Sequence, residues 1–197
     1  MVRGRSRWTD GSRRDDNSIV QLLLHRMFDT PIGPMLGLAS DTALVALEFS
    51  KVDRHDRLEA RLARWLDPHA IEEGSNRALD ALASWLDDYF AGRAAESRAL
   101  PLVMHGTAFE RRVWERLLAI PPGHTRSYGD IAAELGVRNG ARAVGLANGA
   151  NPLAIVVPCH RVIGSNGTLT GYGGGLDRKQ WLLEHERRWA PNPTFDF

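Results

Sequence analysis

The chain of 197 residues contains one cysteine, Cys159, and that single count restricts the fold more than any other feature. No intrachain disulfide can form, and no multi-cysteine zinc site can staple a small domain together. Stability has to come from apolar burial. The length suits that, allowing one large domain or two small ones that share a surface. Hydrophobic residues are 43% and charged residues 25% of the chain, a balance that supplies a core and argues against wholesale disorder. Apolar runs such as Leu22–Leu24 and Ile155–Val157 are strand-sized or shorter and far short of the roughly eighteen residues of a membrane span. A protein without a membrane partner, in the reducing cytoplasmic compartment, is expected.

Residues 1–18 are Arg-rich, but Asp10, Asp15 and Asp16 speak against a transit peptide, and the following run Ile19–Leu24 is short for a signal peptide. They read as a disordered arm. Residues 19–100 read as a small α/β domain, an antiparallel sheet plus helices. Strands are expected over Ile19–Phe28, Met35–Ala39 and Ala43–Phe49, separated by Thr30–Pro34 and a Ser40-Asp41 turn. Leu58, Leu62, Trp65 and Leu66 recur at helical spacing within residues 53–66. Leu79, Leu82, Ala83, Leu86 and Phe90 do the same over Asn76–Phe90. Nothing in this half forms a reactive constellation.

Residues 101–188 read as a mainly helical C-terminal domain, followed by a tail at 189–197. Thr107-x-x-Glu110 is a capping box opening a helix that Pro121-Pro122-Gly123 stops, and Ser127-x-x-Asp130 opens a shorter one over Tyr128–Leu135. After Asn139-Gly140, residues Ala141–Ala150 suit a third helix. The last two outline a helix-turn-helix. The third helix is built from Ala141, Ala143, Gly145, Ala147 and Gly149, with Arg142 its one charge. Small residues there serve either tight packing against another helix or close approach to a nucleic-acid groove, and composition alone leaves both open. Charge is uneven between the halves. Residues 1–100 hold 14 Lys/Arg and 16 Asp/Glu, whereas residues 101–197 hold 11 and 8, so an anionic partner would meet the C-terminal half.

The chemistry is expected in Asn151–Val162, where a strand-like apolar run delivers the cysteine to Pro158-Cys159-His160-Arg161. A His and an Arg beside a thiol are the surroundings that lower its pKa and populate the thiolate. Adjacent residues of a strand face opposite ways, so a water relay between Cys159 and His160 is favoured over direct contact. Glu184 or Glu186 could orient the histidine.

Pro158–Val162 resembles the active-site signature of the methylated-DNA–protein-cysteine S-methyltransferases, the O6-alkylguanine-DNA alkyltransferases. The resemblance runs from Gly106 to Glu186 through ordered motifs: Val113-Trp114, Ser127–Ala132, Arg142–Gly145, Asn151-Pro152, Gly171–Leu176 and Leu182-Leu183-x-x-Glu186. It implies a monomer, without cofactor, that acts on double-stranded DNA containing O6-alkylguanine and takes the alkyl group irreversibly, once per molecule. Alkylthymine is a second candidate substrate.

The resemblance also implies roles. Cys159 would be the acceptor, His160 its base through water, Glu186 the orienting group and Asn151 a hinge. Tyr128 would contact the target phosphate and help protonate the leaving guanine. Arg142 would fill the stack vacated by the flipped nucleotide, with Ala141 and Gly145 on the same helix against the minor groove. The Val162 backbone and Tyr172-Gly173 would line the base pocket. Gly173 departs from the Ser or Ala many relatives carry. The cysteines with which some relatives hold zinc are absent, so no metal is expected. A Cys-His hydrolase and a non-catalytic sensor of alkylated DNA are the rival readings.

Overall fold

The computed structural model describes residues 20–50, 52–66, 69–93 and 97–194. The arm expected at residues 1–18 and the last three residues of the tail lie outside them. Strands β1 (Gln21–Phe28), β2 (Met35–Ala39) and β3 (Leu44–Phe49) form the expected antiparallel meander. The β1–β2 turn closes with the Gly33 amide donating to the Thr30 carbonyl at 2.9 Å, and Gly33 adopts φ +102°, a conformation that favours glycine.

Helix α1 (Val52–Leu66) then crosses over to β4 (His69–Glu73), which pairs in parallel with β1, giving the order β3-β2-β1-β4 among the described residues. This strand corrects the purely antiparallel expectation. It is a short edge strand whose one large apolar residue is Ile71, so it carries no alternating pattern to read.

β2 and β3 are buried at every position because both faces of the sheet are covered. Leu58, Leu62 and Leu66 of α1 pack with Leu36, Leu38 and Val45 on one face. Helix α2 (Arg77–Phe90), capped by Asn76, packs Leu79 and Leu82 with Met35 and Leu47 on the other. That second cluster continues without a break into Trp114, Val144 and Leu182 of the C-terminal half. Fully removing such side chains from water contributes about 1.5–3 kcal/mol each, as an upper estimate.

The C-terminal half holds α3 (Ala108–Leu118), α4 (Tyr128–Glu134), α5 (Ala141–Gly149) and α6 (Leu176–Trp189), with a short parallel ladder between β5 (Arg126–Ser127) and β6 (Val162–Ile163). Both capping boxes form as the sequence implies. Trp114 Nε1 donates to the Ala147 carbonyl at 2.8 Å, tying α3 to α5. No helix among the described residues is long and apolar enough to cross a membrane.

One joint sets up the site. The outer edge of β3 would present unpaired backbone groups, and the C-terminal half covers it. Leu44 N donates to Pro101 O at 2.7 Å, Leu47 N to Pro152 O at 2.8 Å, and Ala154 N to Leu47 O at 2.9 Å. The segment leading to Cys159 therefore docks on the N-terminal sheet. It is not the strand expected: only Leu153 bridges, and the chain then turns, with Ile155 at φ +68°. Its apolar character reflects burial on all sides. A β-branched residue held in that region costs on the order of 1–3 kcal/mol and persists only where its surroundings dictate it.

Candidate active site

Cys159 opens a 3-10 turn, Cys159–Arg161, and lines a cleft of about 360 Å³ together with Tyr128, Gly145, Asn151, Tyr172 and Gly173. At three residues per turn, successive side chains point roughly a third of a turn apart. Cys159, His160 and Arg161 thus leave the turn in three directions.

This separation overturns one expectation. Arg161 does not serve the thiol: its Nε and Nη2 donate to Glu186 at 2.9 and 2.8 Å, and its Nη1 donates to the Ile120 carbonyl at 2.5 Å. Burial pushes the Cys159 thiol up, against the opposing hydrogen bond with Asn151 and the positive charges of Lys179 and Arg54. Cys159 rests as a buried thiol, so a base is needed to ionise it.

The base candidate lies alongside. His160 is fully buried, and its Nε2 meets Glu186 Oε1 at 2.8 Å. Burial lowers the His160 pKa, with Glu186 acting the other way, and the imidazole is kept neutral. Its other nitrogen, Nδ1, is buried with no hydrogen-bond partner among the described residues. Burial alone would raise Glu186, but His160 and Arg161 hold its carboxyl well below the usual carboxylate range. A carboxylate at Nε2 fixes the tautomer and ring orientation and leaves Nδ1 as the acceptor. Glu184, the alternative orienting group, instead accepts from Gln180 Nε2 at 2.8 Å on the same helix.

Asn151 holds the approach to the turn. Its Nδ2 donates to Val157 O at 2.7 Å, and its Oδ1 accepts from Leu153 N at 3.0 Å, closing the bend that contains Ile155. Half-buried Tyr128 donates to the Thr170 carbonyl at 3.4 Å, and burial raises its pKa, so it keeps its proton. Tyr172 stands edge-on to Phe49, with ring centroids 5.9 Å apart, and to His160 at 6.5 Å. Val162 is fully buried and is not among the residues lining the cleft, and its carbonyl accepts from Lys179 Nζ at 2.6 Å. That bond occupies part of the backbone expected to face a base.

The structure separates the two uses of small residues on α5. Val144, Ala147 and Asn148 are buried, whereas Ala141, Arg142 and Gly149 are exposed and Leu146 is 71% exposed. A methyl group at Gly149 would meet nothing within 4 Å, and one at Gly145 only the Tyr128 ring at 3.8 Å. Across a cleft of about 410 Å³, Arg54, Arg57 and Arg61 of α1 face Gly145, Leu146 and Gly149.

Several contributors escape motif reading. Asn148 Nδ2 donates to the Cys159 carbonyl at 3.2 Å. Tyr89, from α2, donates to Glu186 at 2.7 Å. Lys179 bonds both Val162 and Thr170 carbonyls. The sequence held one signal for it: Lys179 and Lys51 are the chain's two lysines among 25 cationic residues. No sequence signal marks Tyr89, whose role depends on α2 packing against α6.

Residues 23–104 match the family model of the 6-O-methylguanine DNA methyltransferase ribonuclease-like domain, and residues 108–188 that of the DNA binding domain of the same proteins. The methylated-DNA–protein-cysteine methyltransferase of Salmonella typhimurium is 47% identical over 83% of this chain and 95% of its own length. The Mycolicibacterium paratuberculosis protein of that name is also 47% identical, over 86% and 96%. Among solved structures, Mycobacterium tuberculosis OGT in complex with DNA superposes with a TM-score of 0.70 at 42% identity, covering 86% of this chain and 95% of that one.

Proposed function

The chain belongs to the methylated-DNA–protein-cysteine methyltransferase family, and on that premise we propose how this enzyme carries out alkyl-transfer DNA repair. The observation that carries the proposal is the placement of Cys159 in a cleft beside α5, whose Ala141, Arg142, Leu146 and Gly149 are exposed, with His160 and Glu186 sealed behind it.

The substrate is a duplex containing O6-alkylguanine. Its alkyl carbon is stacked inside the helix, so the nucleotide has to leave the stack before a thiol in a cleft can reach it. Ala141, Gly145 and Gly149 allow the backbone of α5 close to the minor groove, and Arg142 fills the gap left by the base. Unstacking costs a few kcal/mol, which that insertion partly offsets.

From behind the cleft, neutral His160 draws the Cys159 proton through a water at Nδ1, and Glu186 stabilises the imidazolium that forms. The thiolate displaces guanine from the alkyl carbon: a C–S bond forms and the C–O6 bond breaks. Tyr128, still protonated, stands at the cleft to donate toward the departing base. The thioether product has no good leaving group, so each molecule acts once. O4-alkylthymine presents the same kind of carbon and is a second candidate substrate.

The test is to mix the protein with an equimolar duplex carrying one O6-methylguanine and follow intact mass and peptide masses. One methylene equivalent on the Cys159 peptide, stopping at one per protein and absent in Cys159→Ala, is the expected result. Tight binding without a mass change would replace this reading with a damage sensor. Multiple turnover of an ester or amide substrate would favour a hydrolase.

A further inference from the structure

The N-terminal half bears no reactive constellation, yet Phe49, Arg54 and Arg57 from it line the cleft. Arg54, in the first turns of α1, is buried, and its Nε and Nη2 donate to buried Glu48 of β3 at 2.9 and 2.6 Å. It lines the cleft that contains Cys159. On its way there it passes the pocket loop, residues 170–175. A Cβ built at Gly173 would stand 2.7 Å from Arg54 Nη1 and 2.8 Å from its Cζ. Real Cβ atoms do not approach so closely, and this guanidinium is held bidentately from behind, so it is not the free end of a flexible side chain.

Neighbouring contacts pin the same loop. Lys179 Nζ donates to Thr170 O at 2.6 Å, and Arg178 joins Gly174 O at 2.8 Å to Ile32 O at 2.6 Å in the N-terminal half. A Cβ at Gly174 would lie 2.5 Å from the Phe49 ring. The loop therefore lies between two fixed walls, and Gly173 is the position where the wall from α1 comes closest.

We propose that Arg54 is a specificity-determining positioning residue: clamped by Glu48, it occupies the space a side chain at 173 would take, and so sets both the seat of the pocket loop and the size of alkyl group that fits over Cys159. This inference rests on the alkyl-transfer reading above. It also explains the glycine at 173, where a Ser or Ala would meet the guanidinium.

Single-turnover rates on duplexes containing O6-methylguanine or O6-benzylguanine test it, with thermal midpoints recorded alongside. The variants are Gly173→Ala, Arg54→Met, and both together. Gly173→Ala is expected to slow methyl transfer about tenfold or more in the presence of Arg54 but less than about threefold in the Arg54→Met background, a coupling of the size contacting residues show. Arg54→Met alone, by opening the cleft wall, is expected to raise the benzyl-to-methyl rate ratio about tenfold. Since Arg54→Met leaves Glu48 buried and unpaired, Glu48→Gln/Arg54→Met removes the pair together and serves if the single variant does not fold. Equal losses from Gly173→Ala in both backgrounds, or an unchanged benzyl-to-methyl ratio, would overturn the proposal, because a purely structural role moves midpoints and not that ratio. Absence of methyl transfer in the unmodified protein would instead overturn the underlying reading, and this inference with it.

Discussion

Each half of the molecule buries a glutamate against an arginine, and the two carboxyls are shifted in opposite directions. In the sheet, burial pushes Glu48 up to about 7, with Arg54 opposing. Behind the cleft, Glu186 is equally buried, yet His160 and Arg161 hold it well below the ordinary range. The difference lies in the donors. Glu48 accepts two bonds from Arg54 and one from the Phe49 backbone. Glu186 accepts from Arg161, from His160 at 2.8 Å, from Tyr89 at 2.7 Å and from the Gly123 amide at 3.3 Å. Desolvation raises a carboxyl, and only enough convergent donors reverse it. The sheet carboxyl acts as a clamp, while the one behind the cleft supplies a permanent negative charge to a histidine.

Replacing that permanent charge should have the largest effect. Glu186→Gln leaves Arg161 buried without its anion, which costs about 3–5 kcal/mol, and leaves His160 without the charge that stabilises its protonated form. Transfer should slow on the order of 10²–10⁴-fold. Single-turnover kinetics with denaturant unfolding checks both, and an unchanged rate would show that His160 does not work through Glu186.

The pH dependence of transfer comes next. His160 has to be neutral to accept a proton, and burial lowers its pKa below 6.5. The acid fall-off in rate should therefore lie below pH 6.5, and a rate already halved above that value would contradict a buried neutral base.

Stability against pH separates the two carboxyls directly. Glu186, depressed in the folded protein, contributes stability that is present above 4.5 and lost as pH falls below it. Glu48, raised, contributes stability that is present below 4.5 and lost as pH rises toward about 7. The cost of Glu48→Gln should accordingly shrink or invert between those values, whereas the cost of Glu186→Gln should shrink only on the acid side. Urea midpoints across that range would show it, and parallel profiles would mean the two sites are electrostatically alike. The smallest effect is expected from Tyr89→Phe, which removes one donor to Glu186 and should cost about 1 kcal/mol with a modest rate loss. A loss as large as that of Glu186→Gln would mean the donors do not share the work.

Much of the fold was legible because it follows local rules. The two capping boxes, the α1 and α2 stripes and the β1–β3 meander depend on neighbours within a turn or a strand. β4 was not legible, since a short polar edge strand exists only because β1 offers an edge. Within the candidate site, the ordered motifs point to Cys159, His160 and Glu186, but the effect of Arg161 on the thiol is not legible in the sequence. Adjacency in sequence suggested that it would lower the thiol pKa. The 3-10 turn points it at Glu186 instead.

By itself the sequence determined the inventory: one thiol, a histidine beside it, a glutamate on a later helix, and a helix too rich in glycine to be there for its own stability. The tertiary structure decided the states of those groups. Whether a thiol is ionised, a histidine neutral or a glutamate charged depends on how much water is excluded and how many donors converge, and both are set by distant elements brought together. Arg54 against Gly173 is the plainest case, separated by more than half the chain and joined only because β3 lends its edge to the segment that carries Cys159.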